Sequence, residues 1–224
     1  MLDIPKLLDA MFPTINSPED WITVNLDDLA KKFYADNPTG STKNRKGNSL
    51  LDPTQLELQM AVQGVGLKSY GGHLEDRSNI WRGHYMMPDR PIHVGVDINV
   101  APMTAVCLPA EGALIGDTVD NDQQGGWGGK LLFRIGGKLV IFAHLDPNLL
   151  LEVRGKTYPA GTPIGVVGRK TNNGGWHSHL HIQVVDSLED VDEDGYQAPN
   201  TNLRGRFPSP LNFLCSLMGG LDGN

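Results

Sequence analysis

Three histidines stand at alternate positions in the stretch NNGGWHSHLHIQVV, which runs from Asn172 to Val185. They are His177, His179 and His181, and the 224-residue chain has only seven histidines in all. If this stretch is a β-strand, their side chains point to one face and lie about 6.5 to 7 Å apart. That spacing lets one imidazole bind a metal ion while the next reaches a water on the same ion. A polar, solvent-facing strand would carry the same pattern, so the motif alone leaves both interpretations open.

Two further segments add groups that could bind the same metal ion. The segment HVGVD places His93 and Asp97 on the same side of a predicted strand. Four residues of ideal strand span about 13 Å, too far for easy joint chelation, but Gly95 between them permits a bend or bulge. His144 ends another predicted strand in the segment IFAHLD. A lone histidine there is usually structural, whereas histidines together with a carboxylate form an ordinary zinc ligand set.

The segments that carry these residues have the pattern of a mostly antiparallel β-sheet. From about Ile92, short β-branched runs are separated by glycine, and the 27 glycines and 15 prolines favour many tight turns. The run IHVGVDINV alternates strictly, and its apolar members are predicted to share one face: Val94, Val96, Ile98 and Val100. The segment KLLFRIGGKLVIFAHL predicts a hairpin that turns at Gly136 and Gly137. PIGVVG and LHIQVV predict further strands.

The first 70 residues have a different pattern. DIPKLLDAMF and VNLDDLAKKFYA space their apolar residues as helices do, and Ser17 followed by Pro18 offers a helix start between them. The stretch from Asn37 to Ser49 is polar and rich in turn formers, which predicts an exposed loop, and DPTQLELQMAVQG predicts another short helix. We therefore predict a partly helical segment over residues 1–70 and a mainly β domain, sandwich-like or barrel-like, over residues 71–224.

Composition and charge limit the possible partners. The hydrophobic fraction of 39% and the charged fraction of 20% are those of an ordinary globular protein. The net charge of -7 argues against nucleic acid as the main partner. Asp3, Lys6 and Asp9 interrupt any apolar run at the start, so we expect no signal peptide and no membrane span in this sequence. This predicts a cytoplasmic protein, or an exported one whose signal has been removed.

The motifs HVGVD, FAHLD and HSHLH resemble, in order and approximate spacing, those of the lysostaphin-type zinc metallopeptidases, a family of peptidoglycan endopeptidases. The resemblance covers about residues 76–185. It implies one zinc ion with three protein ligands: His93, Asp97 and His181. It also implies catalytic roles for His144 and His179. His177 is additional to the family pattern and receives no role, and Trp176 stands where secreted members usually have small residues. That form is similar to a module of the family found in some cytosolic fusion proteins.

The resemblance predicts hydrolysis of an amide bond in a peptide or a peptidoglycan fragment. Three protein ligands leave a zinc position open to water, and the ion makes that water more acidic and polarises a carbonyl. His179 would accept the water's proton or orient the water, and His144 would stabilise the oxyanion or protonate the leaving amine. The sequence does not decide which of the two histidines is the general base. Two other interpretations are a non-catalytic scaffold with the same fold and a histidine phosphocarrier. The complete set of ligands and histidines disfavours the scaffold, and Asp97 disfavours the phosphocarrier, which needs no carboxylate ligand.

Overall fold

The computed structural model describes residues 2–15, 20–36, 42–43, 49–50, 68–81, 89–120, 122, 125–151, 154–191, 195–199 and 202–218. Its α-helices are α1 (Ile4–Met11), α2 (Leu26–Asp36), α3 (Leu203–Arg206) and α4 (Pro210–Met218). Single 3-10 turns lie at Lys170–Asn172 and Leu188–Asp190. The helices predicted in DIPKLLDAMF and VNLDDLAKKFYA are confirmed as α1 and α2. The predicted helix start at Ser17 and the predicted helix over residues 52–64 lie outside the described ranges.

The strands, in chain order, are β1 (Ile22–Thr23), β2 (Thr42–Lys43), β3 (Ser49–Leu50), β4 (Ser69–Gly71), β5 (Ile92–His93), β6 (Val96–Asn99), β7 (Ala105–Cys107), β8 (Gly112–Asp120), β9 (Gly128–Ile135), β10 (Lys138–Leu145), β11 (Thr157–Tyr158), β12 (Pro163–Val166), β13 (His179–Val185) and β14 (Tyr196–Gln197). Within the described residues, eight of them form one sheet in the order β1-β4-β6-β13-β10-β9-β8-β11. Neighbours in this sheet are antiparallel, except for β1 and β4. The prediction of a mainly β fold is confirmed.

The hairpin predicted around the two glycines forms the centre of this sheet. Ile135 of β9 pairs with Lys138 of β10, and the turn between them has φ of +54° at Gly136 and +83° at Gly137. Glycine adopts such left-handed angles without the steric cost that other residues incur. Strand β10 then pairs with β13, and β13 pairs with β6. The hairpin therefore places the three strands that carry His144, His181 and Asp97 side by side.

Apolar residues cover both faces of the central strands. The larger cluster includes alternate residues of β6 and β13, together with Leu7 and Leu8 of α1 and Leu214 of α4. A second cluster contains Val94 with residues of β10 and Phe207. Each fully buried side chain of this size contributes about 1.5–3 kcal/mol relative to an exposed one. The two clusters fix the sheet from both sides and so limit movement of the polar residues that it carries.

One detail of the predicted alternation is wrong. The sequence pattern placed Val94 on the same face as Val96, but Val94 belongs to the second cluster and Val96 to the larger one. The chain bends at Gly95, between β5 and β6, so the alternation restarts after the bend. The bend is the feature that the glycine was expected to permit.

The N-terminal residues contact the same sheet. β1 pairs with β4, and α1 packs with α4 against the larger cluster. The division of the chain at residue 70 stays a prediction. None of the described helices combines the length and the apolar character that crossing a bilayer requires.

Candidate metal centre and active site

The register of two central strands brings Asp97 and His181 together. In the antiparallel pair β6–β13, Asp97 lies directly opposite His181. Opposed residues of neighbouring strands point to the same face, so the carboxylate and the imidazole meet. The bend at Gly95 turns β5 back toward them and adds His93 from the preceding strand. Three residues from three strands thus converge, and each of them is buried.

The possible ligand atoms of these residues lie within 4.8 Å of one another. Asp97 Oδ1 is 3.0 Å from His181 Nδ1 and 3.4 Å from His93 Nε2. The two imidazole nitrogens are 3.1 Å apart. A tetrahedral zinc ion with bonds of about 2.0–2.1 Å sets its ligand atoms roughly 3.3 Å apart. The spacing of these three atoms therefore fits a zinc ion.

The two imidazoles each turn one ring nitrogen toward the carboxylate of Asp97. His93 Nδ1 donates to the carbonyl oxygen of Gly72 at 2.9 Å, because a carbonyl can only accept, and this leaves Nε2 without a proton in the neutral ring. His181 turns its Nδ1 toward Asp97 Oδ1, at 3.0 Å, and its Nε2 toward Gln183 Oε1, at 3.4 Å. Two imidazole nitrogens and a carboxylate oxygen thus converge, an arrangement that a bound cation would stabilise.

His179 lies beside this cluster with one ring nitrogen available. Its Nδ1 donates to the backbone carbonyl of His177 at 2.8 Å, so Nε2 is left as an acceptor. Nε2 is 3.7 Å from Asp97 Oδ1. The same carbonyl also accepts a hydrogen bond at 3.0 Å from Nδ2 of Asn173, which is fully buried. The tautomer of His179 is therefore set by a carbonyl that is itself held in place.

His144 is aimed at the site by an irregularity in its strand. The pairing of β9 with β10 shifts register between Phe142 and Leu145, and His144 adopts a φ of +62°. A positive φ is strained for a residue other than glycine, and such outliers cluster at functional sites. The His144 ring lies 4.4 Å from that of His179, centroid to centroid, and stacks on Trp127 at 5.6 Å. Its Nδ1 has no hydrogen-bond partner among the described residues.

Burial keeps His93 and His144 neutral. Burial lowers the pKa of His93 well below the usual value of 6.5, and the nearby Arg77 lowers it further. Burial, with His179 as its neighbour, likewise lowers the pKa of His144. Burial acts to raise the pKa of Asp97, but the permanent positive charge of Arg77 holds it well below its usual value. An anionic Asp97 beside a neutral His93 is the protonation state that metal binding requires.

The structure brings together all five residues that the sequence singled out for the site, namely His93, Asp97, His144, His179 and His181. Sequence reasoning gave no role to the additional histidine of the opening motif. His177 is buried, its Nε2 lies 2.8 Å from Asn99 Oδ1, and its ring stacks on that of His179 at 4.8 Å. Strand alternation had already placed it beside His179, so its proximity was foreseeable.

Arg77 was also missed. Its Nη2 forms an ion pair with Asp97 Oδ2 at 2.7 Å, and both side chains are buried. Arg77 reaches the site from a segment without regular secondary structure, and no strand or helix spacing relates it to Asp97.

The fold is similar to that of several solved peptidases. The catalytic domain of lysostaphin from Staphylococcus simulans matches 55% of this chain and 80% of its own length, at 20% identity and a TM-score of 0.40. A zinc-containing peptidase from Vibrio cholerae matches 45% of this chain and 29% of its own, at 22% identity and a TM-score of 0.36. A putative M23 peptidase from Pseudomonas aeruginosa matches 41% of this chain and 37% of its own, at 26% identity and a TM-score of 0.33.

This chain thus corresponds to less than half the length of the Vibrio and Pseudomonas proteins. No protein-family model and no curated protein sequence matches the chain. Solved structures of lysostaphin and of peptidases described as M23 are among those that its fold resembles.

Proposed function

We propose that this chain is a zinc-dependent endopeptidase that hydrolyses amide bonds in short peptides of the peptidoglycan type. One observation carries the proposal. The ligand atoms of His93, Asp97 and His181 converge within 4.8 Å, and the free Nε2 of His179 lies 3.7 Å from Asp97 Oδ1. A metal site with an adjacent proton acceptor is the combination that metal-assisted amide hydrolysis requires.

The five residues divide into two groups by their contacts. His93, Asp97 and His181 would hold the ion. Zinc bound there would make a water molecule more acidic and polarise the substrate carbonyl. We assign the general base to His179, because its Nδ1 is engaged with a carbonyl and its Nε2 is left to accept the water's proton. His144 lies next to it, at a ring distance of 4.4 Å, where it would stabilise the oxyanion or protonate the leaving amine.

The substrate class rests on the motifs and on the crowding of the site. Trp127 packs against both His144 and His181, at ring distances of 5.6 and 5.2 Å. Small residues such as glycine or D-alanine beside the cut bond suit a carbonyl that must enter between these rings. An extended peptide would bind by main-chain hydrogen bonds to a strand, as peptides bind at sheet edges.

A non-catalytic scaffold remains the second candidate. A scaffold would need the fold, with or without the metal, but not two further imidazoles held next to the ligands. The hydrogen bond of His179 to a fixed carbonyl and the strained backbone of His144 both favour catalysis.

The test uses purified, zinc-loaded protein with three classes of substrate. Intact sacculi, soluble muropeptides and ordinary L-peptides are incubated separately, and products are identified by mass spectrometry. The H179A variant and chelator-treated protein serve as controls for contaminating peptidases. We expect new amino termini in peptidoglycan-derived material, absent from both controls. Cleavage confined to L-peptides would refute the substrate class, and a zinc-loaded protein that cleaves no amide would favour the scaffold.

A further inference from the structure

A buried arginine holds the oxygen of Asp97 that does not face the histidines. Asp97 Oδ1 contacts His93 and His181, whereas Oδ2 forms an ion pair with Arg77 Nη2 at 2.7 Å. Arg77 is 3% exposed and Asp97 is 2% exposed, so water screens this pair very little. The two oxygens of one carboxylate therefore have different partners, and the arginine determines which oxygen is left for the histidine side.

The remaining nitrogens of the guanidinium are fixed as well. Nε donates to Glu75 Oε2 at 3.0 Å, and Nη1 donates to the hydroxyl of Tyr196 at 3.1 Å. The Tyr196 ring in turn packs against the His93 ring at 5.3 Å. A planar guanidinium held at three nitrogens has a single orientation, which a lysine ammonium could not reproduce.

The short segment that carries Arg77 is fastened on both sides of it by one residue of α2. The backbone N–H of Asp27 donates to Glu75 Oε1 at 2.8 Å. The Asp27 carboxylate accepts from the backbone N–H groups of Asn79 and Ile80 at 2.8 and 3.0 Å. Asp27 belongs to the N-terminal segment, which lies before the region that carries the three motifs. A residue of α2 is thus connected to Asp97 through Glu75 and Arg77.

We infer that Arg77 is a positioning residue that orients Asp97 for the metal, and that α2 keeps Arg77 in place through Asp27 and Glu75. Loss of a residue that hydrogen-bonds to a metal ligand commonly lowers metal affinity by about tenfold to a hundredfold. The inference rests on the proposed function only for the presence of zinc at this site. It does not require that the protein be a peptidase.

The experiment measures zinc affinity, by competition with a chromophoric chelator at neutral pH, for folded protein stripped of metal. R77M should raise the zinc Kd by about tenfold to a hundredfold. The Kd of R77K should lie between those of R77M and the parent, because lysine keeps the positive charge but lacks the planar guanidinium. E75Q should raise the Kd by a smaller factor. D27A should do the same, because it removes the acceptor of the Asn79 and Ile80 N–H groups although it keeps the backbone N–H that donates to Glu75. R154M is the matched control, because Arg154 pairs with Asp117 on the surface. Its Kd should equal that of the parent.

A second readout separates orientation from general stability. Cobalt substitution should give R77M an absorption spectrum different from the parent's, since the spectrum reports the geometry of the ligands. An unchanged Kd and spectrum in folded R77M would overturn the inference, as would a parent protein that binds no zinc. If R77M does not fold, R77K and E75Q decide by the same criterion. Zinc binding with the expected ranking but no hydrolysis of any substrate would refute the proposed function and leave the inference standing.

Discussion

Gly95 lies against the imidazole of His181 so closely that no side chain fits between them. A Cβ atom on Gly95 would stand 2.3 Å from His181 Cε1 and 2.4 Å from Nε2, and 2.8 Å from the carbonyl oxygen of Ile182. Neither neighbour can move freely, because His181 is buried and the carbonyl belongs to the central strand β13. The same glycine bends the chain so that His93 reaches Asp97. One residue thus serves two requirements of the candidate metal site.

We expect G95A to weaken zinc binding strongly. The added methyl group must displace the His181 ring or push β6 away from β13, and either change moves a ligand. The loss of affinity should be tenfold or more, measured by chelator competition. G116A is the matched control, because a Cβ on Gly116 would meet nothing within 4 Å. Equal zinc affinity in G95A and G116A would contradict the close approach of Gly95 to His181.

The ligand assignment predicts the metal content. The purified parent should carry close to one zinc per chain, and D97N should lose most of it, because a neutral amide replaces the anionic ligand. H181A should lose it too. D117N, at a carboxylate that pairs with Arg154 on the surface, should retain the metal. Metal analysis by mass spectrometry checks this, and full zinc retention in both D97N and H181A would show that the ligands are wrong.

The sequence predicted the positions of the strands better than their detailed course. Alternation and glycine spacing predicted the β9–β10 hairpin correctly, because both are local properties of the chain. Strand alternation predicted the wrong face for Val94. The bend at Gly95 depends on a tertiary contact, the close approach of the His181 ring, which the local sequence does not encode. The five candidate site residues could be named from the sequence because each lies in a short motif. Arg77 could not, because its role depends on a tertiary contact with Asp97 that no local pattern encodes.

His144 should be dispensable for folding and necessary for hydrolysis. Its φ of +62° is strained, and asparagine tolerates this conformation better than most residues. We therefore expect H144N to unfold at the parent's temperature or slightly above it, to keep its zinc, and to lose hydrolysis by about a hundredfold or more. Thermal unfolding, metal analysis and the muropeptide assay measure the three quantities. An H144N protein as active as the parent would remove His144 from the mechanism.

The zinc-free protein should lose stability on acidification. Burial lowers the pKa of His93, His144 and His177 well below 6.5, so the unfolded chain binds protons first as the pH falls. The stabilising contribution is complete above pH 6.5 and is lost as the pH falls below it toward the folded-state values. Each histidine contributes a slope of up to about 1.4 kcal/mol per pH unit.

Urea unfolding of metal-stripped protein at one pH above 6.5 and one pH below it measures the effect. H144N should show a smaller difference between the two pH values than the parent, because it has one fewer buried imidazole to protonate. A zinc-free parent with the same free energy of unfolding at both pH values would exclude buried neutral histidines.

His177, the additional histidine of the HSHLH motif, should support His179, the proposed general base, without binding metal. His177 stacks on His179 at an interplanar angle of 28°, and its Nε2 lies 2.8 Å from Asn99 Oδ1. Asn99 Nδ2 donates to Ser69 Oγ at 3.0 Å, so the amide oxygen faces His177 and accepts from it. The ring is thus held between an amide from β6 and the imidazole of His179.

Two substitutions at His177 separate the stacking from the hydrogen bond. H177F keeps a ring against His179 but leaves the Asn99 oxygen without its donor, at a cost of about 1–3 kcal/mol. H177A removes the ring as well and should cost about 3–5 kcal/mol, as large core truncations do. Both variants should retain zinc, because none of the three candidate ligands is touched. Hydrolysis should fall more in H177A, where the His179 ring loses the neighbour that restricts its tilt, than in H177F. If H177A matches the parent in unfolding free energy and in rate, His177 has no supporting role, and if either variant loses its zinc, His177 acts on the metal site itself.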